Sequence, residues 1–270
     1  MNSINENIFY EILKYLNIND FLNIFLVNKY FYQTLKTNYI WKYKVENECF
    51  ELYKNNKLDY LDCYTLYCKL LIVKNKLNIK EEITELQNLQ KLDLFDNQIK
   101  EVPKELGYLQ NLQELNLCNN QITKVPELTN LPKLYLSNNQ IKEIPKEIDK
   151  LQNLQQLYLS NNQIKEIPKE IGKLQNLQIL YLNDNQIKDI PIELSNLINL
   201  QTLNLNDNLI TKIPEEFGKL QNLLYLLLYY NQIKEIPVQL SNLVNLLKLD
   251  LRYNQLIEIP ILLSHLPIEI

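Results

Sequence analysis

The sequence predicts an α/β fold: a solenoid of stacked coils that carries a parallel sheet, preceded by a small N-terminal helical module. Three observations predict it. A phrase of 23 residues, LQNLQxLxLxxNQIKEIPKEIxK, recurs from Leu86 towards the C-terminus, and units of this length must stack to bury their apolar faces. Within each unit, LxLxxN alternates apolar and polar residues as a half-buried strand does. Upstream of the repeats, apolar residues recur at helical spacing instead.

This helical spacing is the basis for predicting an N-terminal module at residues 1–45. Ile4, Ile8 and Ile12 recur every four residues, and Asp20 is a plausible N-cap for a second helix. One interpretation is a helical cap that covers the first coil of the solenoid.

Residues 46–85 are expected to link the module to the solenoid and to cap its N-terminal end. The stretch 50–77 predicts one or two further helices, in which Cys63 and Cys68 serve as small buried hydrophobic residues. Residues 79–83 are expected to begin a degenerate coil.

For the repeat domain, residues 86–270, the pattern predicts eight coils with one short strand each and a truncated ninth. In the first coil, Leu92 and Leu94 point inwards while Lys91 and Asp93 point outwards. Strands joined by about 17 residues in constant register form a parallel sheet. An asparagine then turns the chain and bonds to backbone groups that would otherwise be buried and unpaired. These asparagines are Asn97, Asn120, Asn139, Asn162, Asn185, Asn208, Asn231 and Asn254.

Two irregularities interrupt the repeat. Asn120 and Asn139 are 19 residues apart, because the return between Pro126 and Leu131 is short, and this predicts a local change of curvature. At the other end, the sequence stops at Ile270 before another strand is expected. The inner leucines of coil eight would then need a cover. Either the tail folds over them, or a second chain does so by self-association through the C-terminal edge.

The repeat resembles the leucine-rich repeat family, in the 23-residue class with the IPxEI outer segment. This resemblance covers two thirds of the chain. It implies a curved solenoid whose concave parallel sheet contacts a protein partner.

Composition argues against several other classes of function. The net charge of −4, with Lys and Glu interspersed in each repeat, favours neither nucleic-acid nor membrane binding. No apolar run is long enough to span a membrane, no export signal opens the chain, and the cysteines lack disulfide or zinc spacing. With His265 as the single histidine, we expect no catalytic residues, no metal site and no cofactor, and an intracellular, cytoplasmic or nuclear location.

The order of residues near the N-terminus resembles a second family. The series Ile4-Asn5-x-Asn7-Ile8-x-x-x-Ile12-Leu13-x-Tyr15-Leu16, then Asp20-Phe21-Leu22, Leu26-Val27-Asn28-Lys29-x-Phe31 and Ile40-Trp41-Lys42 resembles the F-box motif. The family usually opens Leu-Pro-x-Glu, so Asn5 and Asn7 depart from it. The resemblance implies docking on the Skp adaptor of a cullin-RING ubiquitin ligase. The candidate adaptor contacts are Ile4, Ile8, Ile12, Leu16, Phe21, Leu22 and Val27.

The outward strand positions carry the candidate site for a captured client protein. Tyrosine occupies the same outward position in coils three to five, and coil seven adds further apolar and aromatic residues. Tyrosines rimmed by charge are typical of protein-binding surfaces, although a coding bias towards tyrosine, 18 in all, is the alternative explanation. The predicted client contacts are Tyr135, Tyr158, Tyr181, Tyr225, Leu227 and Tyr229.

Two functional hypotheses follow from these modules. The first is a substrate receptor, in which the N-terminal module binds the Skp adaptor and the sheet captures a protein for ubiquitination. The second is a leucine-rich repeat scaffold without ligase activity, similar to adaptors of small GTPases or phosphatases.

Overall fold

A computed structural model of the chain describes residues 60–126 and 128–270. The predicted module at 1–45 and the first part of the linker lie outside the described residues. The chain divides into two compact units, with the boundary between Asn88 and Leu89. Among the described residues, no helix has both the length and the hydropathy of a membrane span.

The described part of the first unit contains two helices. Helix α1, Tyr60–Leu77, lies within the stretch predicted to be helical and buries Cys68, Leu70 and Val73. Helix α2, Ile83–Leu86, is a single turn. A capping box between Glu82 and Glu85 satisfies its first amides, and the degenerate coil expected to begin at 79–83 stays a prediction.

The second unit is a parallel sheet whose nine strands follow one another in chain order. Each strand is only two or three residues long, and the predicted solenoid with a parallel sheet is confirmed. The strands are β1 Lys91–Asp93, β2 Glu114–Asn116, β3 Lys133–Tyr135, β4 Gln156–Tyr158, β5 Ile179–Tyr181, β6 Thr202–Asn204, β7 Tyr225–Leu227, β8 Lys248–Asp250 and β9 Ile268–Glu269.

The register of the sheet is constant because one buried leucine anchors the middle of each strand from β1 to β8. Leu134 pairs with Leu157, and Leu157 pairs with Leu180, so equivalent positions of successive coils lie side by side. All three leucines are fully buried. Side chains one residue before or after them therefore point away from the core.

A ladder of buried and half-buried asparagines, from Asn120 to Asn254, joins each of these coils to the coil before it. The amide nitrogen of Asn162 donates to the carbonyls of Leu136 and Leu159 at 3.0 and 3.1 Å. Its Oδ1 accepts the backbone N–H of Ile141 at 2.9 Å. One side chain thus satisfies backbone groups of two coils, in a place where water does not reach.

The return segments open with proline and then form short 3-10 turns in all but one coil. The proline supplies extended backbone before the turn, as its fixed φ allows. In the short second coil, no 3-10 turn forms among the described residues 121–126 and 128–131. The turns are Lys104–Tyr108, Lys146–Lys150, Lys169–Lys173, Ile192–Asn196, Glu215–Lys219, Val238–Asn242 and Ile261–Leu263.

The shortened return leaves the sheet undisturbed. The register of β2 and β3 continues unchanged, with Leu115 opposite Leu134. Asn139 still donates to the carbonyl of Leu117 at 2.9 Å and accepts the N–H of Ile122 at 2.9 Å. The four missing residues are therefore absorbed wholly in the return, while the predicted change of curvature stays a prediction.

The C-terminal tail forms a strand, although the sequence was expected to stop before another strand. Residues 268–269 form the ninth strand, and the N–H of Leu251 donates to the carbonyl of Glu269 at 2.8 Å. Leu249 and Leu251 are fully buried, so they need no second chain. Self-association through this edge stays a prediction, and exposed Ile261 is one apolar residue near it.

We predict that Asn162→Ala lowers the free energy of unfolding by about 3 kcal/mol, because it leaves a buried amide and buried carbonyls without partners. Urea denaturation measures this. The control is Asn153→Ala, whose exposed side chain reaches only Asn130 at 3.5 Å and should change stability by less than about 0.5 kcal/mol. Equal effects of the two variants would contradict the role of the ladder.

Glycines in the turns are needed for close packing between coils rather than for unusual backbone angles, since none has a positive φ. A Cβ on Gly218 would lie 2.5 Å from the backbone oxygen of Gln239, and one on Gly172 would overlap the oxygen of Glu193. At Gly107, nothing lies within 4 Å of the added atom. The same turn position is therefore tight in two coils and open in one.

We predict that Gly172→Ala lowers the free energy of unfolding by about 2 kcal/mol, because the neighbouring turn must move to admit the methyl group. Gly107→Ala is the matched control and should be neutral or slightly stabilising. Urea denaturation of both variants provides the comparison. A neutral Gly172→Ala would show that the turns are not packed as closely as described.

Candidate functional site

The open face of the sheet consists of the side chains that point away from the core. We describe it in four rows that run across the coils. The first row is the opening residue of each strand, from Lys91 to Lys248, and the second is the closing residue, from Asp93 to Asp250. The third row lies two residues further on, from Phe95 to Arg252. The fourth is the next residue, from Asp96 to Tyr253.

Three predicted client contacts form a continuous tyrosine row in the second row. The rings of Tyr135 and Tyr158 are stacked, with centroids 4.7 Å apart and planes 11° apart. Those of Tyr158 and Tyr181 meet edge to face at 5.0 Å. All three side chains are half-buried: the faces not used in stacking remain available, so none belongs to the core.

Burial raises the pKa of Tyr135 above the ordinary phenol value, and the charge of Glu114 adds to the rise. Burial also raises the pKa of Tyr158, with further contributions from Tyr135 and Tyr181. Both hydroxyls therefore stay protonated at neutral pH. They can donate hydrogen bonds to a partner as well as offer apolar ring area.

The other three predicted contacts lie in coil seven but in three different rows. Tyr225 stands in the first row, opposite Thr202 and Lys248. Leu227 continues the second row after Asn204, and Tyr229 belongs to the third row. The structure therefore does not join them to the tyrosine row of coils three to five.

Tyr229 instead belongs to a second aromatic cluster with Tyr230 and Tyr253. Its ring lies 6.0 Å from that of Tyr230 and 5.0 Å from that of Tyr253. The guanidinium carbon of Arg252 lies 5.6 Å from the Tyr229 ring centroid, within cation–π range. We call these four residues the C-terminal aromatic cluster.

Of this cluster, only Tyr229 is among the predicted client contacts, and the aromatic residues that the predicted contacts omit are Tyr230 and Tyr253. Both adopt positive φ, 53° at Tyr230 and 56° at Tyr253, and every other coil has Asn or Asp at this fourth-row position. Asn and Asp tolerate the left-handed region, whereas a bulky residue there costs roughly 1–3 kcal/mol. The substitution of Tyr for Asn or Asp in the repeat pattern was the signal that could have found them.

Several charged residues at the two ends of the open face form ion pairs. Glu114 lies between Lys91 at 3.3 Å and Lys133 at 4.0 Å. At the other end, Lys248 and Arg252 pair with Asp250 and Glu269, the shortest contact being Arg252 to Asp250 at 2.6 Å. Burial raises the pKa of Asp250, but hydrogen bonds from Arg252 and both cations outweigh it, so this pKa is below its usual value.

The middle of the open face, from coil four to coil seven, has two charged residues in its four rows. Both are carboxylates, Asp184 and Asp207, at the fourth-row position of neighbouring coils. Burial raises the pKa of Asp207 above its usual value, and the charge of Asp184 raises it further. The centre is thus aromatic and polar, with negative charge along one margin.

We searched the described residues for metal sites and enclosed cavities. They contain no group of three or more His, Cys, Asp or Glu placed to hold a metal. The space lined by Leu106, Leu112 and Leu131 has a volume of about 20 Å³, which is room for one water. A larger space of about 420 Å³, beside Val244 and Leu247, is an open surface depression.

The predicted adaptor contacts cannot be placed on any surface, because they all lie outside the described residues. They are Ile4, Ile8, Ile12, Leu16, Phe21, Leu22 and Val27.

Family comparisons agree with the repeat region of the fold. A leucine-rich repeat region model matches residues 115–191, and a model for two copies of the repeat matches 87–132 and 175–218. A further leucine-rich repeat model matches 198–256. No F-box domain is detected. No curated protein sequence gives a significant match.

Several solved structures of other proteins are similar to this chain. A leucine-rich repeat protein of Leptospira interrogans is 39% identical with a TM-score of 0.56, over 64% of this chain and 51% of that one. The chain thus spans about half of the Leptospira protein. Internalin C2 of Listeria monocytogenes is 30% identical with a TM-score of 0.61, over 74% of this chain and 89% of that one. A TDR receptor is 33% identical with a TM-score of 0.54, over 57% and 29%.

Proposed function

This chain belongs to the leucine-rich repeat family, and we propose that the open face of its sheet binds a client protein through the tyrosine row. The observation that carries this proposal is the contact series Tyr135, Tyr158 and Tyr181, in register on three neighbouring strands. A stacked row presents rigid ring area, and tyrosine loses little side-chain entropy on binding.

The shape and polarity of the open face favour a protein over a small ligand. The face is broad, and the spaces described above are either too small or too open to enclose a ligand. Aromatic residues at its centre and ion pairs at its ends match the arrangement of protein interfaces, with a desolvated core and a polar rim. We therefore assign binding rather than catalysis to the repeat domain.

For the whole chain, we propose a substrate receptor of a Skp-cullin-F-box type ubiquitin ligase. What supports this is the order of residues 4–42, which resembles the F-box motif, in the same chain as a client-binding solenoid. The module would dock on the Skp adaptor through its apolar positions, and the sheet would present the client.

The second candidate is a leucine-rich repeat scaffold without ligase activity, similar to adaptors of small GTPases or phosphatases. The family match over residues 87–256 supports this coarser function by itself. The two candidates share the open face and differ only in what the N-terminal module does.

We predict that Tyr158→Ala/Tyr181→Ala weakens client binding at least about tenfold, because two of the three tyrosines of the row are lost. Affinity purification with quantitative mass spectrometry identifies the client with the wild type, and titration of that client gives the Kd values. Tyr108→Ala, in a return turn instead of a strand, is the matched control and should leave the Kd within about twofold. Unchanged client binding by the double variant would refute the proposed surface.

We also predict that the wild-type chain co-purifies with a Skp adaptor from eukaryotic cells, and that Leu16→Asp/Leu22→Asp abolishes this, because charges oppose an apolar interface. Client binding should be unaffected by the same pair of changes, which also reports that the solenoid is intact. If the wild type recovers no adaptor, or if the variant recovers it equally well, the scaffold function stands instead.

A further inference from the structure

The fourth row of the open face changes its chemistry along the stack. Asp184, Asp207, Tyr230 and Tyr253 follow one another on coils five to eight, after Asn in coils two to four and Asp96 in coil one. The N–H of Asn208 donates to the carbonyl of Tyr230 at 3.3 Å, so the backbone of coil six is bonded to that of coil seven at this point. The rings of Tyr230 and Tyr253 lie 6.2 Å apart, and the charge of Asp184 acts on Asp207, so a pair of carboxylates is followed along the row by a pair of rings.

Asp184 and Asp207 form no ion pair with any lysine, arginine or histidine among the described residues. Asp184 accepts one hydrogen bond, from the amide nitrogen of Asn183 at 2.6 Å. The pKa of Asp207 is raised by burial and by Asp184, which is the behaviour of a negative charge that lacks a neighbouring positive one.

The two rings offer faces on which a cation can lie. Tyr230 is 59% exposed and Tyr253 is 68% exposed, high values for side chains of this size. Within the same cluster, Arg252 already lies over the ring of Tyr229. That guanidinium is neutralised by Asp250, so it does not repel a second cation as a free one would.

These features decide which kind of partner segment fits. An acidic segment would meet two carboxylates, and the cations nearby are already paired. An apolar segment would bury Asp184 and Asp207 without compensation, which is costly. A lysine or arginine side chain lays its methylene stem along a ring and brings its charge to a carboxylate.

We propose that the part of the client that crosses coils five to eight is a basic segment, whose lysine or arginine side chains lie on Tyr230 and Tyr253 and pair with Asp184 and Asp207. This proposal rests on the open face being a protein-binding surface. It goes further by naming the chemistry of the partner and a second contact region, separate from the tyrosine row.

Labelled peptides test the proposal on the full chain. The probes are fluorescein-labelled repeats of Gly-Ser-Arg, Gly-Ser-Gln and Gly-Ser-Glu of equal length, titrated by fluorescence anisotropy in about 0.1 M salt, where the Debye length is about 10 Å. The arginine peptide should bind at least about tenfold more tightly than the glutamine peptide, and the glutamate peptide should not bind.

Two double variants remove the site without disturbing the fold. Asp184→Asn/Asp207→Asn and Tyr230→Asn/Tyr253→Asn each install the residue that other coils already carry at this position. Each should weaken binding of the arginine peptide at least about fivefold. Since Asn tolerates positive φ, the tyrosine variant should not lower the melting temperature by more than about 2 °C, and the same holds for the aspartate variant.

The matched control is Asp93→Asn/Asp96→Asn, which removes the same two charges from coil one. Asn204 accepts the same backbone hydrogen bond that Asp93 accepts, from the residue two positions on. Coils two to four carry Asn at the position of Asp96, so Asn fits both positions. Peptide affinity should stay within about twofold of the wild type. If this control loses as much affinity as the aspartate variant, the attraction is general electrostatics and the proposal is wrong.

The outcome also separates this proposal from the proposed function. A client that depends on Tyr158 and Tyr181 but binds Asp184→Asn/Asp207→Asn with unchanged affinity would overturn the basic-segment proposal alone. A client that is lost with the aspartate variant and indifferent to the tyrosine row would keep the basic segment and overturn the tyrosine row. Equal binding of the glutamate and arginine peptides would also refute the basic segment.

Discussion

The asparagine ladder is the interaction on which the rest of this structure depends. Where each strand ends, the chain must turn inside the stack, and the turn leaves backbone groups of two coils facing a space without water. A single amide side chain, such as that of Asn162, supplies both the donor and the acceptor that those groups need. Because the same bonds reach into the neighbouring coil, they hold every coil at one register.

A constant register turns single residues into continuous surfaces. Each coil adds one side chain to each row of the open face, and that side chain touches its equivalents rather than the core. The tyrosine row therefore arises from three residues that are each 23 positions apart. The same rule gives the fourth row its run of two carboxylates and two tyrosines. Binding chemistry can vary along such a face while the leucines and asparagines beneath it stay the same.

The sequence alone was sufficient for the sheet, the ladder and the outward tyrosines, since all three depend on strict periodicity and on strand alternation. It was insufficient where periodicity ends. The strand at Ile268–Glu269 has too few residues to show a pattern, and it forms because the open edge of coil eight offers backbone partners. Tyr253 was missed because its position relative to Tyr229 depends on a left-handed backbone that alternation does not encode. The glycines were expected in turns, but what requires Gly172 is a close approach between coils.

The shortened return of coil two shows where this architecture accepts length changes. Sheet pairing and asparagine bonds pass through that coil intact, although its outer segment lacks four residues. Insertions and deletions in the outer return therefore leave the open face of the sheet almost unchanged. By contrast, a shift of one residue inside LxLxxN would turn the aromatic side chains into the core. Recombination that adds or removes a whole repeat would lengthen or shorten the open face by one strand. The number of repeats can therefore change binding specificity before any point substitution occurs.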